Sequence, residues 1–160
     1  MKLILARNAH GNIDFPTTLQ DRQRYQVLTA GGLCLYGKTT WDTLPPAARR
    51  NRESLIVRST LMDTYEKPGE VLNGRFYSSS FGLAMAAAKR SPNAWICGGK
   101  KLYDSLIHSF ALSQLITHVY LSTFPGVEGG SLTVLLPDGE WDTICLQKFD
   151  DHEFTILRRK

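Results

Sequence analysis

Ten residues from Gly32 to Trp41, GLCLYGKTTW, constrain the fold of this chain more than any other stretch. Leu33-Cys34-Leu35-Tyr36 is an unbroken apolar run, which suits a strand buried on both faces, and Gly37 marks where the chain turns off its end. Thr39 or Thr40 then offers a cap for a helix starting there, and a helix N-terminus presents unpaired N–H groups and the positive end of its dipole. Lys38 adds a full positive charge at the same point. An anion is expected there, and a phosphate suits best.

Gly32…Gly37-Lys38-Thr39 also satisfies the P-loop spacing G-x-x-x-x-G-K-[ST] literally. That motif needs a wrapped loop between its glycines, and Leu-Cys-Leu-Tyr makes a good strand and a poor loop. It also needs a strand before the first glycine, where Tyr25–Ala30 reads as helix, and no apolar strand ending in Asp follows to hold magnesium. We read the match as accidental.

A chain of 160 residues suits one domain, spanning 1–160, with a substantial core. The balance of 19 basic and 15 acidic side chains gives +4, and the basic residues are dispersed except at Arg49, Arg50 and Arg52 and at Arg158-Arg159-Lys160. A small anionic ligand explains the first cluster at least as well as nucleic acid does, and a solvated surface explains the tail. No nucleic-acid partner is expected. Cys34, Cys97 and Cys145 each lie in apolar, strand-like surroundings without metal-ligand spacing, so reduced thiols and no metal are expected. His10, His108, His118 and His152 are scattered. With no signal peptide and no apolar run long enough to span a bilayer, a cytoplasmic monomer is expected.

Along the chain, Lys2–Ala6 reads as a central strand, broken by His10-Gly11-Asn12. A Thr-capped helix is expected from Thr17 or Thr18 to Ala30, placing Asp21, Tyr25 and Leu28 on one face. After the Gly32–Trp41 stretch, Leu44-Pro45-Pro46 and an Arg-rich loop lead to a strand at Glu53–Ser59. Residues 60–74 read as exposed loop with a short strand. Strands are expected at Phe76-Tyr77, Ala94–Cys97, Ile116–Thr123, Thr143–Phe149 and Phe154–Arg159. Helices are expected from Ser80-Phe81 to Lys89 and from Lys100 to Phe110. Early strand–helix alternation and a late strand pair imply an α/β fold, with a mostly parallel central sheet, antiparallel C-terminal edge strands and flanking helices.

Two motifs stand together in this frame. Tyr36-Gly37-Lys38-Thr39-Thr40-Trp41-Asp42-Thr43-Leu44 resembles the M-G-[RK]-x-T-[WF]-E-S-[IL] signature of dihydrofolate reductases. Ile96-Cys97-Gly98-Gly99-Lys100-Lys101-Leu102-Tyr103 resembles that family's I-G-G-x-x-[VIL]-Y segment, where paired glycines let the backbone approach a ligand closely. The similarity covers residues 2–8, 21–60 and 94–160. It implies a dihydrofolate reductase-like fold and reduction of 7,8-dihydrofolate with NADPH, in service of tetrahydrofolate and nucleotide synthesis.

The resemblance also assigns residues. Asp21 falls on the active-site carboxylate, a group that accepts two N–H bonds from the pterin and supports its protonation; on its own it also reads as a first-turn acid favouring the helix dipole. Ser122 matches a hydroxyl residue bonded to that acid, completing the implied catalytic pair. Leu5, Ala6, Tyr25, Arg52, Cys97 and Tyr103 are implied in substrate binding, Arg52 as the fork on the glutamate carboxylate of folate. Cofactor contacts fall on Gly37, Lys38, Thr39, Thr40, Cys97, Gly98, Gly99, Lys100, Lys101, Leu102 and Tyr103. Arg58 and Ser59 match the 2′-phosphate site.

The chain departs from the family in its lid, which is only Asp14–Gln20 and lacks a Pro-Trp pair; Phe15-Pro16 is what remains of it. Gly130 replaces an acidic residue common in the late loop. Three alternatives stay open: a same-fold pyrimidine reductase of riboflavin synthesis, whose phosphorylated substrate suits the Arg49-Arg50-Arg52 cluster; a non-catalytic binding or structural relative; and a P-loop phosphotransferase.

Overall fold

The computed structural model describes residues 1–58, 69–71 and 73–160. Their order is β1 Lys2–Asn8, α1 Leu19–Thr29, β2 Leu33–Gly37, α2 Lys38–Thr43, α3 Pro46–Arg49, β3 Glu53–Val57, β4 Gly69–Val71 and β5 Gly74–Ser79. There follow α4 Phe81–Arg90, β6 Ala94–Ile96, α5 Lys100–Ile107, α6 Phe110–Ser113, β7 His118–Phe124, β8 Trp141–Lys148 and β9 Glu153–Arg159. The strands form one sheet in the order β4-β5-β3-β2-β6-β1-β7-β9-β8. The run from β5 to β7 is parallel, while β9 on β7, β8 on β9 and the short β4 on β5 are antiparallel. The expected mostly parallel sheet with an antiparallel C-terminal edge is what forms.

The β2 run shows why the centre is apolar on both faces. Leu35 packs with Leu3, Leu55 and Ile96 and with Leu102 and Leu106 of α5. Its neighbours Cys34 and Tyr36 point the other way, among Trp41, Ile56 and Trp95. Alternate residues of a strand face opposite sides, so a strand covered by helices on both faces reads as a continuous hydrophobic run.

Several boundaries differ from expectation. Neither Thr39 nor Thr40 caps α2: pairing of β2 continues through Gly37, which is itself the N-cap, so the helix begins at Lys38 and both threonines lie inside it. The residues between the P-loop glycines are strand β2, not a wrapped loop. The Arg-rich loop contains the short helix α3, begun by Pro46, whose fixed φ suits a first turn. The helix expected to run to Phe110 stops at Ile107, because Ser109 turns extended and its hydroxyl caps α6 by accepting from the Leu112 amide. Much of the loop expected at 60–74 lies outside the described residues. No helix among the described residues is long and apolar enough to cross a membrane.

Candidate active site

The carboxyl ends of β1, β2 and β6 open into a cleft of about 1370 Å³, whose other wall is α1. Ligands of open α/β sheets bind at this end of the strands. Asp21 sits in the first turn of α1, where the Thr18 hydroxyl caps the helix by accepting from the Asp21 amide at 3.3 Å. Its side chain points to the cleft. Ser122 reaches the same point from β7, where it lies in register with Ala6 of β1. The Ser122 hydroxyl donates to Oδ1 of Asp21 at 2.5 Å.

Arg24, one turn along α1, brings Nη1 to 3.5 Å from the same Oδ1, 3.3 Å from Ser122 Oγ and 3.0 Å from Nε2 of His152. Its guanidinium lies over the rings of Phe154 and Phe149, at 4.4 and 4.8 Å. Burial pulls its pKa down from the usual arginine value, with Asp21 and Asp151 acting against that change.

Leu5, Ala6, Tyr25, Cys97 and Tyr103, expected around the substrate, line the cleft together. The Tyr25 hydroxyl is tied to that of Tyr36 and reaches the Ala48 carbonyl at 3.3 Å, while burial pushes the phenol's pKa up. Tyr103 is also buried and held protonated, and it donates to the Ile4 carbonyl at 2.6 Å. Burial likewise pushes the Cys97 thiol up.

Arg52 stands elsewhere. It is 3 % exposed and does not line the cleft; its Nη1 bonds the Ala48 carbonyl, its Nη2 the Gln26 carbonyl at 3.2 Å, and its guanidinium lies 5.1 Å from the Tyr25 ring centre. The fork expected for a substrate carboxylate holds the α1–α3 junction instead, because α3, unforeseen in the sequence, turns the Ala48 carbonyl toward the guanidinium.

The opposite end of the cleft is backbone and cation. The Gly37 amide donates to the Gly98 carbonyl at 2.6 Å, and the Gly98–Gly99 peptide is cis. A Cβ on Gly99 would stand 2.6 Å from Thr40 Oγ1, so only glycine allows this approach. Lys38, Thr39, Thr40, Arg58, Lys100, Lys101 and Leu102 complete this wall. Two of its lysines are engaged: Lys38 pairs with Asp42, and Lys100 bonds Asp104 at 2.5 Å and the Thr133 carbonyl at 2.9 Å. Ser59 lies outside the described residues.

The short lid is tied down from the far side. The Asp14 carboxylate accepts from the amides of Ser131 and Leu132, both at 2.9 Å, and the Ile13 amide donates to the Leu132 carbonyl. Those two amides hold the Asp14 carboxyl below the usual carboxylate range. A Cβ on Gly130 would meet Asp14 Oδ1 at 2.6 Å, so an acidic side chain there and this tie exclude each other. Phe15, beside Asp14, lines the cleft and packs edge-on against Phe124 at 5.6 Å.

Sequence reasoning missed Arg24, His152 and Asp14. The i, i+3 spacing from Asp21 marks Arg24 on the acid's helix face, whereas His152 and Asp14 reach their partners only through tertiary pairing. The model for the family described as dihydrofolate reductase matches residues 2–153. No curated protein matches the chain. Its fold, its cleft and that match agree, and the chain belongs to the dihydrofolate reductase family.

Proposed function

We propose that the protein reduces 7,8-dihydrofolate to 5,6,7,8-tetrahydrofolate with NADPH, as a cytoplasmic monomer. The observation that carries this reading is the Asp21 carboxylate: its Oδ1 is engaged by Ser122 and Arg24, while Oδ2 has no hydrogen-bond partner among the described residues. An amidine-like pterin edge donates two N–H bonds, which a carboxylate accepts in a single plane. Ser122 fixes the plane of that carboxylate, and Tyr25 supplies an aromatic wall one turn along the helix.

The far end of the cleft fits a phosphate-bearing dinucleotide. The glycine contact at Thr40 lets the Gly98–Gly99 backbone line the cleft at the start of α5, and Lys101 and Arg58 bring cations to the same wall, where Lys38 is paired with Asp42. When bound there, NADPH supplies the hydride. Gly37, Thr39, Thr40, Gly98, Gly99 and Leu102 would hold it, with Arg58 and Ser59 at the 2′-phosphate. The chain's own residues do the rest: Asp21 accepts and orients the pterin edge, and its charge favours a proton on the ring.

The pyrimidine reductase reading loses its support. Arg49 donates to the Trp41 carbonyl at 2.7 Å and stacks on that ring, and Arg52 is buried on carbonyls, so two of the three clustered arginines are already engaged. Steady-state assays with NADPH and either dihydrofolate or a phosphorylated ribosylaminopyrimidine test the choice. Turnover of dihydrofolate alone is expected; turnover of the pyrimidine alone contradicts the proposal.

A further inference from the structure

Arg24 places a positive charge against Asp21, the carboxylate at which the ring is proposed to dock. A guanidinium keeps its charge in proteins. Five neighbours hold this one: Asp21 and Ser122 on the cleft side, His152 behind, and the faces of Phe149 and Phe154. The His152 ring is itself clamped, stacked at 4.7 Å on both Phe124 and Phe149 and bonded through Nδ1 to Asp151 Oδ1 at 2.6 Å. With Nδ1–H given to Asp151, Nε2 is the bare nitrogen that accepts from Arg24. The side chain of Asp151 is 50 % exposed and screened by water, whereas those of Arg24 and Asp21 are each 14 % exposed. The Tyr103, Tyr25 and Cys97 side chains, which line the cleft with Asp21, are each held protonated by burial. The cleft therefore meets a ligand with a carboxylate whose charge is already partly offset.

We propose that Arg24 is a specificity-determining residue that weakens this site's preference for a protonated diamino ring relative to a neutral pterin ring. A neutral ring needs only acceptor oxygens, which Asp21 still offers. A protonated ring would share that carboxylate with a guanidinium 3.5 Å from Oδ1, and repulsion between the two cations offsets part of the attraction that an unpaired carboxylate would return. The inference rests on the reading that the ring docks at Asp21.

Methotrexate and dihydrofolate carry the same glutamate tail, so their comparison isolates the ring. The affinities of both are measured with NADP⁺ in place of NADPH, so that dihydrofolate is not consumed, for the unmodified protein, Arg24→Met and Arg24→Lys. In Arg24→Met the affinity ratio is expected to move toward methotrexate by roughly tenfold or more, while Arg24→Lys, which keeps the charge, stays near the unmodified ratio. Equal changes for the two ligands in Arg24→Met would mean a structural role only and overturn the proposal. A second measurement is calorimetry of methotrexate binding in buffers of different ionisation enthalpy, at a pH where the free drug is neutral, which counts the protons taken up by the unmodified protein and by Arg24→Met. Fewer protons per drug are expected for the unmodified protein than for Arg24→Met, and equal or greater uptake by the unmodified protein overturns the proposal. If the unmodified protein does not bind dihydrofolate at all, the folate reading falls and this inference with it. If it binds dihydrofolate and the ratio does not move, only the inference falls.

Discussion

Ser122 and Asp21, 101 residues apart in sequence, meet in a 2.5 Å hydrogen bond where α1 crosses the end of β7. The bond fixes the carboxylate in the wall of the cleft. Asp21→Asn keeps the size of the side chain and the Thr18 cap, which uses the backbone amide, and it removes the charge. The fold is expected to survive, with turnover at neutral pH reduced by about 10²-fold or more. Near-normal turnover would leave Asp21 as an ordinary first-turn helix acid.

Arg58 lines the cleft just beyond the end of β3, on the wall proposed to hold the cofactor. Contact with a 2′-phosphate is charge-assisted and worth roughly 1.5–3 kcal/mol. Arg58→Ala should therefore raise KM for NADPH tenfold or more, roughly, with little effect on KM for NADH. Parallel effects on the two cofactors would remove Arg58 from the phosphate site.

The Asp14 tie makes a prediction in acid. Backbone amides depress this carboxyl below its ordinary value of 3.8, so the stabilisation is present above that value and is lost as pH falls through the lower folded one. The Ser131 and Leu132 amide resonances should stay constant above pH about 5 and move together below about 4. In Asp14→Ala the same amides should exchange with solvent about tenfold faster or more at neutral pH. Unchanged exchange would show that the lid is held by the bond from the Ile13 amide to the Leu132 carbonyl instead.

The centre of this fold was legible because parallel strands covered on both faces must be apolar throughout, as at Leu33–Tyr36 and Ala94–Ile96. Caps were legible where the capping residue is polar and local: Thr18 and Ser80 start their helices as expected. Where backbone geometry decides, sequence misled; Gly37 starts α2 although two threonines stand beside it. At the site, motif spacing found the residues that line the cleft but not what each side chain touches. Arg52 is buried by a helix that a Pro-Pro pair had disguised as loop. The links from Arg24 to His152 and from Asp14 to Ser131 exist only once β7, β9 and the late loop are assembled.

The most direct test follows NADPH absorbance when 7,8-dihydrofolate is added to the purified protein, with tetrahydrofolate assayed in the same samples. One tetrahydrofolate is expected for each NADPH consumed, with consumption largely lost in Asp21→Asn. NADPH binding with no consumption in the presence of dihydrofolate would contradict the proposed function and leave a non-catalytic member of the family.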